Sequence, residues 1–406
     1  MEYISLIILL LLLIFHYDYR EHLIGRKWWY VGVMIYCILL AGLRYRVGND
    51  TVNYATYYYD IFPNLYDYWF FDFSNEKFGR GYLFFNAIAR TISDDFVVMQ
   101  MLLAIFVNSI IFYFIYNNTK NIFTGILLYF IFFFLDFNTE VLREACAVAV
   151  FLLGWKSFYN HKWIRYYIYC GIAILFHPSA SFTLLLPFFT SKYLSKGFKI
   201  SWTTVIITLS LFLLGTIITS KFFDIIRLLG MATMDNYADI YENSRFSGAK
   251  MFSITGLVVV LTVNVIYPFI MGWIKFNGNG KDEESQYTHS LKVMFVTYIY
   301  LASISNSLII LGRFNNYLGL FMVLVYSDAI FQTIKIFRKK LRFSFSLWSI
   351  YLFPLLFLRV LILFQPSSIS KVAPIQKYYP YYSYLYKGES REREIYFYYS
   401  FGAGRR

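Results

Sequence analysis

Cysteine is nearly absent: the 406-residue chain holds three, Cys37, Cys146 and Cys170. Each lies inside an apolar run and no two share a paired spacing, which excludes a disulfide scaffold and a cysteine-based metal framework. Charge is sparse as well. Asp, Glu, Lys and Arg make up 15% of residues, too few to coat a water-soluble surface around a chain that is 58% hydrophobic. No cluster of ligand residues has a recognisable metal spacing, so neither a metal nor another cofactor is expected. The first apolar run, residues 4–15, lacks the basic flank and the A-x-A-like cleavage site of a secretory signal, and reads as a retained helix. No inverted repeat of the transporter kind is visible.

What is present is apolar and aromatic. Mean hydropathy is +0.51 and aromatics reach 22%, which makes this an all-α, polytopic membrane protein. After residues 4–15, apolar segments follow at 28–42, 96–116, 123–135, 141–158, 202–219, 254–273, 293–311, 317–331 and 346–364. Residues 166–189 are split by His177-Pro178 into two halves too short to span, because proline removes a helix hydrogen bond. The total is about eleven or twelve membrane segments in a single domain, residues 1–406. Net charge of +13 reflects loops facing anionic lipid and is no argument for nucleic acid.

Basic residues orient the chain. Arg20, Arg26 and Lys27, then Lys156, Lys162 and Arg165, then Lys335 to Arg342 mark the cytoplasm. The N-terminus, the loops 43–95 and 220–253 and the tyrosine-rich tail 365–406 then face outside. Within the first loop, residues 81–92 form an amphipathic helix expected to lie on the external surface.

Several external residues carry chemistry. The stretch LRYRVGNDTVNYATYYYD, residues 43–60, holds Arg44 and Arg46 two apart, so an extended backbone would aim both the same way. A turn at Gly48-Asn49 leads to Asp50, and Tyr54 follows with three more tyrosines. Guanidinium forks suit phosphate, a carboxylate suits a hydroxyl proton, and tyrosines suit sugar rings. The plainer alternative is interfacial anchoring. The external turn DFNTEVLRE brings Glu140 and Arg143, for which a local ion pair is the rival reading. His177, as readily a satisfied bundle histidine, Arg313 and Tyr381 complete the set. Arginines kept outside run against the positive-inside rule, and a phosphate ligand explains them.

The order RYRVGNDTVNY, LREACAVAV, LFHPSASF, GRFNNYL and YYPYYSYL resembles the EpsG family of exopolysaccharide polymerases, related to the Wzy-type O-antigen polymerases. The resemblance covers nearly the whole chain. It implies a bacterial inner-membrane glycosyltransferase that joins polyprenyl-diphosphate-linked oligosaccharide repeat units on the external, periplasmic face. Arg44, Arg46, Arg143 and Arg313 would hold the diphosphate and Tyr54 and Tyr381 the sugar. Asp50, Glu140 or His177 would take the proton. A chain-length regulator or a flippase would be its partner. An O-antigen-ligase-like transferase and a flippase or exporter of the same lipid-linked glycan are the rival functions.

This orientation predicts which positions an impermeant maleimide reaches in intact cells. Single cysteines at Arg44, Arg143 and Arg313 in a cysteine-free chain should label from outside, and one at Lys339 only after permeabilisation. External labelling at Lys339 would overturn the assignment.

Overall fold

The computed structural model describes residues 2–73, 78–191, 200–214, 262–277, 285–305, 311–338, 364 and 373–397. The described residues are overwhelmingly helical, and extended pairing among them is limited to isolated bridges. The helices Glu2–Tyr19, Phe96–Asn118, Ile122–Thr139 and Gly312–Thr333 are long and apolar enough to cross a membrane, and Arg26–Gly42 adds 17 residues. The protein is a multi-pass, all-α membrane protein. The expected loop 220–253, Lys339 and most of the segment 346–364 lie outside the described residues.

Two compact units result, the first comprising Met1–Ser157, Lys162–Ser181 and Ile334–Arg406. In it run α1 (Glu2–Tyr19), α2 (Arg26–Gly42), α3 (Asn49–Asp60), α4 (Arg80–Ile92), α5 (Phe96–Asn118), α6 (Ile122–Thr139), α7 (Leu142–Leu153) and α8 (Trp163–Phe176). Helix α5 is its axle: Met99, Leu103, Ala104, Val107 and Ile111 recur at helical spacing and are all fully buried. Helix α2 lies antiparallel to it. The Tyr30 hydroxyl donates to the Phe112 carbonyl at 2.7 Å, and the Gln100 side chain, earlier in α5, donates to the carbonyl of Arg44, later in the chain than Tyr30, at 3.1 Å. One end of the unit therefore holds Leu43 and the start of α5. The Tyr386 hydroxyl, 2.8 Å from the Glu2 carboxylate, draws the tail and the N-terminus to that same end. The other end holds Arg26, paired with Asp18 at 3.3 Å and bonded to the Lys120 carbonyl.

Midway, three buried polar side chains satisfy one another. Tyr129 donates to Asn108 at 2.9 Å, and Asn108 donates to Asn138 at 2.8 Å. Buried polar groups in an apolar bundle persist only when paired in this way.

Two sequence expectations change here. The expected turn after residue 135 is mostly helix: α6 runs through a π-helical stretch, Phe130–Phe134, to Thr139, and only Glu140 and Val141 interrupt the path to α7. The amphipathic helix forms as α4, but it does not merely lie on a surface. Tyr82, Leu83, Asn86, Ala87 and Ala89 are buried, while Phe84 and Ile88 remain open. Gly79 sits against the end of α8, where a β-carbon would lie 2.3 Å from the Leu175 carbonyl oxygen. The break at His177-Pro178 is as expected: α8 stops at Phe176 and the tighter 3-10 helix Pro178–Leu185 follows.

The second unit comprises Phe158–His161 and Phe182–Thr333. Its described helices include Trp202–Leu214, Tyr267–Asn277 and Gln286–Ser305 as well as the greater part of Gly312–Arg338. Lys275 and Asp328 pair at 2.6 Å within it, and Phe182 stacks on Phe314 at 4.8 Å.

Close approach at Gly79 gives a stability test. Gly79→Ala should destabilise the detergent-solubilised protein by about 1–3 kcal/mol, the range for overpacking. Gly171→Ala should be neutral or stabilising by up to about 1 kcal/mol, since nothing lies within 4 Å of its β-carbon position in α8. Thermal unfolding followed by intrinsic fluorescence separates the two, and equal melting temperatures would contradict the close packing of α4 on α8.

Candidate functional site

The first motif folds into a tight path rather than an extended one. Arg46 has φ +52° and Gly48 φ +94°, both left-handed, so the two arginines of the RYR triplet do not point the same way. Only glycine tolerates position 48, because a β-carbon would also strike the Thr139 side chain at 2.4 Å. Backbone pairing to the C-terminal tail stabilises this path. Tyr45 N–H donates to the Tyr382 carbonyl and Tyr384 N–H to the Leu43 carbonyl, each at 2.8 Å, and Gly48 N–H donates to the Lys377 carbonyl at 2.9 Å.

Arg44 turns inward and is 2% exposed. One of its nitrogens donates to the Ala41 carbonyl, whereas Nε and Nη2 have no hydrogen-bond partner among the described residues. Burial pulls its pKa down to about 10, so it remains a cation at neutral pH; Tyr381, Tyr3, Tyr384 and Tyr82 surround it electrostatically. Arg46 turns to the tail. Its Nη2 donates to the Glu394 carboxylate at 2.8 Å, which raises its pKa, and both side chains are partly open to solvent.

Glu140 reaches the N-terminus of α3, where it accepts the Asn49 N–H at 2.7 Å. Helix N-termini carry unsatisfied N–H groups and a partial positive charge, so a carboxylate suits that place. Its pKa is nevertheless raised: burial outweighs the opposing pull of Lys377, 3.9 Å away, and of the Asn49 and Asp50 N–H groups. The rival reading for Arg143 is a local ion pair with the flanking Glu140 or Glu144; Glu140 turns to α3 and Lys377. Arg143 lies 4.8 Å over the Phe78 ring. Val141 leaves helical geometry between α6 and α7. Phe78 also meets Tyr57 at 4.8 Å and Tyr54 at 6.4 Å, and Tyr54 is itself buried against Tyr82 at 5.9 Å.

The remaining expected residues are placed as follows. Asp50 is half-buried in the first turn of α3. His177 is 7% exposed, and its Nδ1 accepts the Ser179 N–H at 3.2 Å while touching the Ser179 hydroxyl at 2.6 Å. That contact caps the helix after the break and occupies the lone pair a base would use. Tyr381 donates to the Leu40 carbonyl at 3.0 Å and sets its ring edge-on to Tyr3 at 5.8 Å. Arg313 is exposed in the first turn of Gly312–Arg338, in the second unit.

Residues that sequence reasoning passed over hold the arrangement together. Arg393, 4% exposed, donates to the Arg46 carbonyl at 3.0 Å, to the Gln376 carbonyl at 3.4 Å and to the Pro380 carbonyl. Tyr378 donates to the Asp136 carboxylate at 2.6 Å. In sequence, Arg393 sits in the charge run RERE, which reads as a solvated tail. Its only clue is proximity to the tyrosines.

Glu140 makes separable contributions to stability. Glu140→Ala strips the acceptor from the α3 N-terminus and should cost about 1–2 kcal/mol. Glu140→Gln keeps an acceptor oxygen and removes the cost of burying charge, so it should match or exceed the wild type at neutral pH. The sign follows from the raised pKa: the wild-type contribution is fullest below the ordinary carboxylate pKa and is lost as pH rises through the higher folded value. The Gln variant should therefore show a flatter dependence of melting temperature on pH, and parallel curves would contradict the assignment.

Comparison with known proteins places this geometry in a family. No curated protein and no solved structure matches the chain. The model of the EpsG family matches residues 27–398, which takes in α2 except its first residue, every motif of the site and all of the described tail. The chain belongs to the EpsG family.

Proposed function

We propose that the protein is an exopolysaccharide polymerase that joins polyprenyl-diphosphate-linked repeat units at the external face of the bacterial inner membrane. The observation that carries the reading is Arg44, a buried guanidinium with two unpartnered nitrogens. A buried cation without an anion is costly, and a diphosphate oxygen completes it. Arg46 and Arg143 belong to the same unit, and tyrosines stand beside all of them. Family membership supports the polymer as product.

In the reaction, a hydroxyl of the incoming repeat unit attacks the anomeric carbon of the growing chain. The new glycosidic C–O bond forms as the bond to diphosphate breaks, and the electron pair leaves with the lipid diphosphate. Arginines preorganised around that group stabilise its developing charge, each by about 2–4 kcal/mol. The hydroxyl proton passes to a carboxylate. Of the expected three acceptors, Glu140 suits the role best because its burial raises its proton affinity. Asp50, one residue beyond the N–H that Glu140 holds, is the next. Tyr54 and Tyr381 offer faces to the sugar. A chain-length regulator or a flippase would work beside it.

Deletion of the gene should leave single lipid-linked units outside and no polymer. Units trapped inside would identify a flippase, and unattached polymer a ligase. Complementation with Arg44→Lys or Arg143→Lys should restore less than about a tenth of the polymer at normal protein level, because lysine keeps charge but loses the fork. Wild-type polymer from both variants would remove the diphosphate role.

A further inference from the structure

Arg46 is already occupied by the chain itself. Its Nη2 donates to Glu394 at 2.8 Å, while Nε, on the same edge of the guanidinium, is buried without a hydrogen-bond partner. A carboxylate that approached the edge squarely would satisfy both nitrogens. Glu394 does not, because its backbone is set by its neighbour: Arg393 is fixed to the Arg46, Gln376 and Pro380 carbonyls, and Glu394 N–H donates to Ser390 at 3.1 Å. The edge is half used. The pair is also partly exposed, 34% at Arg46 and 40% at Glu394, so it can open without disturbing the fold. Beside it stands Arg393, whose like charge acts on Arg46. Glu389 acts on Arg46 from further off, so Glu394 is the carboxylate that touches the edge and Glu389 one that does not.

We propose that Glu394 is a built-in competitor for phosphate on Arg46. The carboxylate holds half of the bidentate edge in the free protein, yields it to a diphosphate oxygen that can use both nitrogens, and takes it back as the lipid diphosphate departs. The proposal rests on the reading that Arg46 binds the diphosphate, and it adds a residue that tunes affinity and product release. An exposed pair of this kind is weak, so it competes without blocking. No covalent step is involved.

The test is binding of inorganic diphosphate to the detergent-purified full chain, measured by titration calorimetry for the wild type, Glu394→Gln, Arg46→Lys and the double variant. Removing the competitor should tighten binding about two- to fivefold, because a larger fraction of the protein is then competent. Glu394→Ala should give the same gain, which guards against an effect of one substitution on folding. In the Arg46→Lys background the gain should vanish, since the competition acts through that edge. Unchanged or weaker binding in both Glu394 variants overturns the proposal. So does an equal gain in the Arg46→Lys background, which would mark a general charge effect. Equal binding by wild type and Arg46→Lys would instead remove the Arg46 reading beneath it, and the competitor with it.

Discussion

The candidate site depends on a buried guanidinium whose hydrogen bonds, among the described residues, all go to backbone carbonyls. Arg393 donates to three backbone carbonyls, those of Arg46, Gln376 and Pro380, and is almost wholly enclosed. Carbonyl dipoles replace the water it has lost, and burial still lowers its pKa. The contact to Arg46 fixes a residue whose left-handed backbone is unfavourable for anything but glycine. With that residue held, the next N–H but one reaches Lys377, and Lys377 stands near Glu140. Glu140 in turn holds the start of α3. A single cation thus orders the arginine motif, the tail and a helix terminus together.

The polar groups along the first unit are layered, and each layer fixes a different degree of freedom. At the far end, Asp18 accepts from Arg26 and from both the backbone and hydroxyl of Thr124, which ties α1 to α2 and α6. Midway, the Asn108, Tyr129 and Asn138 contacts set how far α5 and α6 can slide past one another. At the near end, backbone pairing to the tail takes over. Apolar side chains alone permit neighbouring registers in lipid, since lipid tails resemble the helix surface. Hydrogen bonds with defined partners do not.

Helices, the break at His177-Pro178 and the grouping of residues 43–60, the α6–α7 junction and the tail were legible because apolar periodicity, proline chemistry and basic-residue bias are local signals. The direction of Arg44 and Arg46 was not. An extended triplet was a fair expectation, and it failed because Arg393 imposes the backbone from a distance of 347 residues in sequence. Glu140 was legible as a candidate but not as a cap, since the helix it serves begins 91 residues earlier. Its spacing to Arg143 suggested a shared helical face, and the non-helical Val141 in between cancelled that. His177 was found by its proline, yet its lone pair is spent on the chain that the proline redirects. Candidate site residues were readable by type, whereas their partners were set by contacts with no local trace.

The distance between Arg46 and Arg393 also bears on how the protein is made. A chain entering the membrane from its N-terminus inserts α2 long before residues 373–397 leave the ribosome. For that interval the arginine motif lacks the strand it pairs with, and its polar backbone must be served by water or by insertion machinery. Closing so long a loop adds little entropy beyond that of a shorter one, because the cost grows only with the logarithm of length. The delay, rather than the loop, is the burden. A ribosome that stalls midway releases a chain whose helices are inserted but whose arginine motif is unclasped, and completion of synthesis becomes a condition for forming the site.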